Sequence, residues 1–219
     1  MKKIVVPGEL VTEERKRAGS HVYMQEGKIY SDVLGLVNES ASEASVVPLE
    51  GCYMPLEGDV IIGVIVAEKF SGYNANINSF YPAFISKKEL RDPLRNGNVL
   101  SAQVMKVNEL NEVDLSRPRV FFGGEIISVS PVKVPRIIGK NGSMLEVLKN
   151  GTGCNLMVGR NGRIWVKGGN IPLLVQAIDK IEREAHLDNL TNRMAAFLEQ
   201  AKAQTAGAQT EEKAAVKEK

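Results

Sequence analysis

The stretch "VPRIIGKNGSMLEVLKN", residues 134–150, sets two glycines around a lysine and an asparagine, between a short apolar run and a segment with helical spacing. Three readings compete for Gly139-Lys140-Asn141-Gly142: a phosphate cradle for a hydrolysed nucleotide, a clamp on a nucleic-acid backbone, or a plain tight turn. A P-loop needs four residues between its glycines and then Lys and Ser or Thr, so that backbone amides wrap a phosphate while the hydroxyl holds magnesium. Only Lys140 and Asn141 separate these glycines. The dinucleotide fingerprint Gly-x-Gly-x-x-Gly fails as well, because position 137 is Ile. What remains is Gly-x-x-Gly between two helices.

Working outward, "GEIISV" (124–129) reads as a strand, "PVKVPRII" (131–138) as a short helix or turn, and "SMLEVLKN" as a helix that Gly151 and Gly153 can end. "CNLMVGRNGRIWVKG" is a hairpin around Asn161-Gly162. Asn170 can cap a helix in which Leu174, Ile178, Ile181 and Ala185 recur at spacings of 4, 3 and 4. This order, strand, helix, helix, strand, strand, helix, resembles the type I KH domain, whose Gly-x-x-Gly loop clamps single-stranded nucleic acid. The resemblance implies that Gly139 and Gly142 let a phosphodiester approach without a Cβ clash, and that the amides of Ser143 and Met144 point a helix dipole at it. Arg136 and Lys140 would add charge, and Asn141 tolerates left-handed backbone. Ile137 and Ile138 would form an apolar floor for bases. The bland alternative is a loop that only joins two helices.

Charge supports the clamp. Net charge is only +2, yet residues 119–169 hold eight basic groups (Arg119, Lys133, Arg136, Lys140, Lys149, Arg160, Arg163, Lys167) against Glu125 and Glu146. A near-neutral chain with one basic patch suits local attraction of a polyanion. Arg160 and Arg163 flank the hairpin turn, where a solvated face and a contact with RNA or a partner are equally open. Trp165 and Met157 read as core. Cys52 and Cys154 stand a hundred residues apart and read as buried small apolar residues, and His21 and His186 have no second ligand at metal spacing, so no metal and no cofactor are expected. The longest apolar stretch, Val60 to Ala67, is far below the roughly 20 residues of a spanning helix. "MKKIVVPGEL" is too short in its apolar part for a signal peptide, so the expected location is the cytoplasm, away from membranes.

Upstream, "EGDVIIGVIVAEKF" (57–70) opens a β series that continues at 74–78, 82–86, 99–107 and 113–116. Five short strands in about 60 residues fit a small barrel of the oligonucleotide-binding type. Gly58-Asp59-Val60, Gly72, Ile85-Ser86 with Glu89-Leu90, Asn96-Gly97-Asn98 and Leu115-Ser116 resemble an S1 domain. S1 barrels stack bases on aromatics of their second and third strands beside basic loops. Tyr73 and Phe84 fall closest to those positions, with Lys69, Lys87, Lys88 and Lys106 to supply charge. The sequence departs from the S1 pattern at Asn74, where many S1 domains carry phenylalanine. Phe70, Phe80 and Tyr81 read as packing residues near loop ends. The first 55 residues read as a small β unit, built from "HVYM", "KIYSDVLGLV" and "ASVVPL".

The expected fold class is multidomain and mostly β with one α+β domain: an N-terminal β domain at 1–55, the S1 barrel at 56–118, a type I KH domain with a C-terminal helix at 119–200, and a flexible tail at 201–219. In the C-terminal helix Leu187, Leu190, Met194 and Phe197 share one face, which could meet this fold or another protein. The order of N-terminal unit, S1 and KH, with "PRIIGKNGSM" and "GRIWVKG", resembles the S1/KH RNA-binding cap subunits of the archaeal exosome. The resemblance implies a non-catalytic subunit with no catalytic residues of its own. Three copies would sit on a hexameric ring of RNase PH-like subunits, in places mixed with a zinc-ribbon cap subunit, and direct the 3′ end of single-stranded RNA into the ring for degradation or tailing. The implied RNA-contacting residues are Arg136, Gly139, Lys140, Asn141, Gly142, Ser143, Tyr73, Phe84, Lys69 and Lys106. In the rival arrangement the KH and N-terminal domains bind protein and only S1 touches RNA.

Overall fold

The computed structural model describes residues 3–80, 82–90, 92–109, 112–185 and 189–202. Tyr81, His186, Leu187 and the tail from 203 onward lie outside the described residues. The chain divides after Cys52 into two compact units.

The first unit is two small sheets. One has the order β1 (Ile4–Val5), β6 (Gly35–Glu39), β7 (Glu43–Pro48), β3 (Arg17–Ala18); the other has β2 (Leu10–Thr12), β5 (Lys28–Ser31), β4 (Val22–Gln25). Strand side chains alternate between faces. In the first sheet Val5, Ala44 and Val46 are buried on one face. The opposite face lines up Ile4, Leu36 and Val47 in a single cross-strand row. Val6, Leu34 and Leu49 lie just beyond the ends of these strands, and of these six residues only Leu36 is half-buried rather than exposed. Cys52 is exposed rather than buried, so the packing role expected of it does not hold; Cys154 is buried.

The second unit begins with a closed five-stranded barrel, β8 (Val60–Glu68), β9 (Gly72–Asn76), β10 (Ala83–Ser86), β11 (Val99–Val107) and β12 (Val113–Phe121), closed by a parallel β10–β12 pair. Ile61, Ile65, Ala75, Ile85, Leu100 and Val104 fill its interior. The last strand runs past Pro118, to Phe121. A register shift between Ser101 and Gln103 lets it do so, with Arg117 at φ 50° taking the extra residue out of the ladder, so the missing amide of Pro118 breaks nothing.

The KH-type half follows as β13 (Glu125–Ser128), α1 (Val134–Ile138), α2 (Ser143–Thr152), β14 (Asn155–Val158), β15 (Arg163–Lys167) and α3 (Ile171–Glu184), with sheet order β13-β15-β14. The Asn170 side chain caps α3 by accepting from the Leu173 amide at 3.0 Å. Val134, Ile137, Met144, Leu148, Ile164 and Leu174 form the core. A helix at 190–202 lays Leu190, Met194 and Leu198 onto that same core, so its apolar face belongs to this fold. Each such buried side chain is worth about 1.5–3 kcal/mol.

Barrel and KH half are joined by a polar plug. The turn Gly159-Arg160-Asn161-Gly162 carries Asn161, which is fully buried. Its Oδ1 accepts from the Ile62 amide at 3.2 Å, and its Nδ2 donates to the carbonyls of Ile62 (2.8 Å) and Ile77 (2.7 Å). Asn78 Nδ2 donates back to the Asn161 carbonyl at 2.9 Å. The close approach explains Gly159: a Cβ there would stand 2.8 Å from the Ile62 nitrogen. Trp165 stacks on Phe121 at 4.3 Å and donates to the Gly123 carbonyl at 2.9 Å, fixing the connection between the two halves.

Candidate nucleic-acid interface

Helix α1 is five residues long and ends at Gly139 (φ 74°). Lys140 to Gly142 make one tight turn with Asn141 at φ 53° and Gly142 at φ 82°, and α2 begins at Ser143. The left-handed Asn141 is the conformation that asparagine tolerates better than most side chains. The two glycines do different jobs. A Cβ on Gly139 would lie 2.7 Å from the Met144 nitrogen, so this glycine permits the packing of the two helices; a Cβ on Gly142 would meet nothing within 4 Å, so this glycine leaves open space over the backbone. That open side is where a phosphodiester can approach.

Arg136, Lys140 and Asn141 are exposed, and Gly139, Gly142 and Ser143 half-buried, on one short segment. Two expectations change. The Ser143 amide already donates to the Lys140 carbonyl, so it is not free for a ligand. Ile137 is fully buried in the core and cannot be a floor for bases, while Ile138, half-buried beside it, remains at the surface.

On the barrel, Tyr73 points inward: it is 2% exposed and its hydroxyl accepts from the Leu94 amide at 3.2 Å. It is not presented for stacking. The physical reason is strand parity, since Tyr73 alternates with the outward Gly72 and Asn74. Phe84 faces outward and is half-buried. Cross-strand pairing sets Asn74, Phe84, Asp114 and Lys106 in one row across four strands, so the structure does bring Phe84 and Lys106 to one face, with a carboxylate between them. Lys69 is exposed at the β8–β9 turn, whereas Lys87 is held by Glu68 at 2.7 Å. The expectation that Phe70 and Phe80 pack at loop ends fails outright: they are 101% and 76% exposed.

The two arginines of the hairpin turn both have partners within the fold, Arg163 half-buried and Arg160 still exposed to solvent. Arg163 donates to the Asn76 carbonyl at 2.5 Å and to Asn76 Oδ1 at 2.6 Å, and its burial lowers its pKa from the usual arginine range. Arg160 pairs with Asp59 at 3.4 Å, and Tyr53 donates to the same carboxylate at 2.8 Å. Sequence reasoning read this turn as an ordinary hairpin. The available signal was the glycine at each end, more than a two-residue turn requires. Among the described residues no group of three or more His, Cys, Asp or Glu is placed to hold a metal ion, and no helix is long and apolar enough to cross a membrane.

Comparison with known proteins agrees with this layout. A family model for the exosome RNA-binding protein RRP4 N-terminal domain matches residues 2–50, and a KH domain model matches 124–172. The exosome complex component Rrp4 of Methanosarcina barkeri is 38% identical over 212 residues, covering 90% of this chain and 82% of that protein. The chain belongs to the Rrp4 family of exosome components. The Rrp4 protein of Methanothermus fervidus is 37% identical and covered over 94% of its length. A crystal structure provisionally described as an exosome complex RNA-binding protein superposes with a TM-score of 0.63 at 30% identity, over 71% of this chain and 99% of that one. Within the Rrp4 family frame, the expected N-terminal domain, S1-type barrel, KH domain and C-terminal helices are all present.

Proposed function

We propose that this chain is a non-catalytic RNA-binding cap of an exosome, which collects single-stranded RNA and directs its 3′ end into an RNase PH-like ring for degradation or tailing. The observation that carries the reading is the surface Gly-Lys-Asn-Gly turn, open above Gly142, with Lys140 exposed in it and Arg136 exposed beside it, on a KH half that the Asn161 plug fixes to an oligonucleotide-binding barrel. Backbone clamping by such a turn is sequence-tolerant, as a degradation machine requires. Three copies round a ring pore, alone or mixed with a zinc-ribbon cap, would raise the effective concentration of weak sites and lift binding by about 10²- to 10⁴-fold. The exposed apolar face of Ile4, Val6, Leu34, Leu36, Val47 and Leu49 supports ring docking by the N-terminal unit, since apolar patches of this kind mark protein contacts.

The test replaces Lys140 and Asn141 by aspartate in the intact chain and titrates labelled single-stranded RNA at several salt concentrations. Affinity is expected to fall roughly tenfold or more, with a shallower salt dependence, while assembly with ring subunits is retained. Unchanged affinity at every salt concentration overturns the clamp. It would favour the rival in which KH and N-terminal domains bind protein and only the barrel touches RNA, a reading that the use of the KH hairpin turn as a protein plug supports.

A further inference from the structure

Strand β12 has two unlike halves. Over Val113–Leu115 it pairs with β10 on one side and β11 on the other, but from Ser116 onward the β10 pairing has stopped while the β11 pairing continues to Phe121. One edge of the strand is therefore left without a strand neighbour. Glu89 covers its first step, since one carboxylate oxygen accepts from the Arg117 amide at 3.2 Å. Beyond that point a groove of about 540 Å³ lies between the strand and the β10–β11 connection. Its volume is that of sites which hold a ligand.

The walls are apolar and fixed. Leu90, Pro93 and Leu94 come from the connection; Pro118, Val120 and Phe122 come from the strand and the residue after it. Strand alternation puts these last three on the groove side and Phe121 on the other, against Trp165. Phe122 is 78% exposed, with its ring unused by the packing of the fold. The connection is anchored at two points: the Leu94 amide donates to the Tyr73 hydroxyl at 3.2 Å, and the Arg95 amide donates to Asn98 Oδ1 at 2.8 Å. Tyr73, turned away from any role in stacking, thus holds the groove wall. A preformed wall costs a ligand little in ordering.

The rim is acidic. Glu89 and Asp92 are exposed on it, among the described residues neither forms an ion pair, and none of the described lining residues is cationic. Pro93 and Pro118 have no N–H, so the walls offer acceptors more than donors. A second depression of about 280 Å³ shares Leu90, Asp92 and Pro93 and prolongs the groove to Glu68, whose charge Lys87 already meets at 2.7 Å. Such a rim repels a phosphate backbone and attracts a donor-rich cation. An extended peptide satisfies all three features: its backbone lies along the open strand edge, its apolar side chains fill the groove, and its basic side chains reach Glu89 and Asp92.

We propose that this groove is a docking site for an extended segment of a partner protein in which apolar side chains alternate with arginine or lysine. The site is separate from the Gly-Lys-Asn-Gly turn and does not depend on the reading of that turn as an RNA clamp.

Fluorescence anisotropy with the full chain and a fluorescein-labelled hexapeptide of alternating leucine and arginine tests it, beside the same peptide with glutamate for arginine and with glycine for leucine. The leucine-arginine peptide is expected to bind saturably below about 1 mM, and each replacement peptide at least about tenfold more weakly. Glu89→Gln combined with Asp92→Asn keeps the acceptor for the Arg117 amide, and is expected to weaken binding roughly five- to tenfold and to flatten its salt dependence. Phe122→Ala, at an exposed site, is expected to weaken it roughly fivefold or more at every salt concentration. The RNA affinity of both variants should match that of the parent. A benzophenone-bearing copy of the peptide should cross-link within residues 89–98 or 118–122. No saturable binding by the parent chain, equal binding of the arginine and glutamate peptides, parent-like binding by both variants, or cross-links confined to other residues would each overturn the proposal. Displacement of the peptide by single-stranded RNA, together with lost RNA affinity in Phe122→Ala, would assign the groove to nucleic acid and likewise overturn it.

Discussion

Replacing Asn161 by alanine tests whether the barrel and KH half are one mechanical piece. The substitution removes three hydrogen bonds and leaves the Ile62 amide and the carbonyls of Ile62 and Ile77 without that partner in a place where Asn161 is 0% exposed. Each bond contributes about 0.5–1.5 kcal/mol net, and an orphaned buried group costs about 1–3 kcal/mol. Water entering the vacated space offsets part of this, and a loss of about 3 kcal/mol is expected. The single tryptophan of the chain is the reporter, because Trp165 stacks on Phe121 at the same junction. Urea unfolding followed by its fluorescence should show a lower midpoint for Asn161→Ala. Asn161→Asp should be worse still: the carboxylate keeps the acceptor for Ile62 but turns a negative oxygen toward two carbonyls that the amide group had satisfied. An alanine variant within about 0.5 kcal/mol of the parent, or an aspartate variant no worse than alanine, would refute the account of the plug, since about 0.5 kcal/mol is the low end for a single typical bond and three are removed.

Other expectations follow from single residues. Gly142→Ala should cost about 1–2 kcal/mol through its left-handed backbone and also weaken RNA binding by filling the open side, whereas Gly139→Ala should cost more in thermal unfolding because its Cβ meets Met144 at 2.7 Å; equal costs would contradict the division of roles between the two glycines. Burial, reinforced by the hydrogen bond to Asp59, raises the Tyr53 hydroxyl pKa well above its ordinary value. The folded chain therefore keeps a proton that the unfolded chain gives up. Stability from this group is complete below about pH 10 and is lost as pH rises beyond it. Urea titrations near pH 8 and near pH 11 should show a larger alkaline loss for the parent than for Tyr53→Phe, and equal losses would remove Tyr53 from the account. Val47→Lys, on the exposed face of the N-terminal sheet, should abolish or weaken assembly with ring subunits by native mass measurement while leaving RNA binding by the free chain unchanged; intact assembly would exclude that face.

Much of this protein is legible in the sequence because the relevant physics is local. The KH half can be read from hydrophobic spacing and from glycines whose φ values the turn dictates, and Asn141 is of a type that tolerates the left-handed backbone it adopts. The order of barrel strands likewise followed from alternating apolar runs between turn residues. Strand parity was the first thing the sequence left undecided: whether Tyr73 or its neighbours face outward depends on which residue the barrel closes around, and closure placed Tyr73 inside. Long-range approach was the second. Nothing near Asn161 in the chain shows that Ile62 and Ile77, about a hundred and about eighty residues away, will surround it, so a buried plug read as an exposed hairpin turn. The exposure of Phe70 and Phe80 is of the same kind, since an aromatic in a loop packs or protrudes according to what the rest of the fold brings beside it. Local propensity and periodicity thus determine the elements and the Gly-Lys-Asn-Gly turn, while burial, being a property of the assembled chain, decides which side chains stay exposed on its surface.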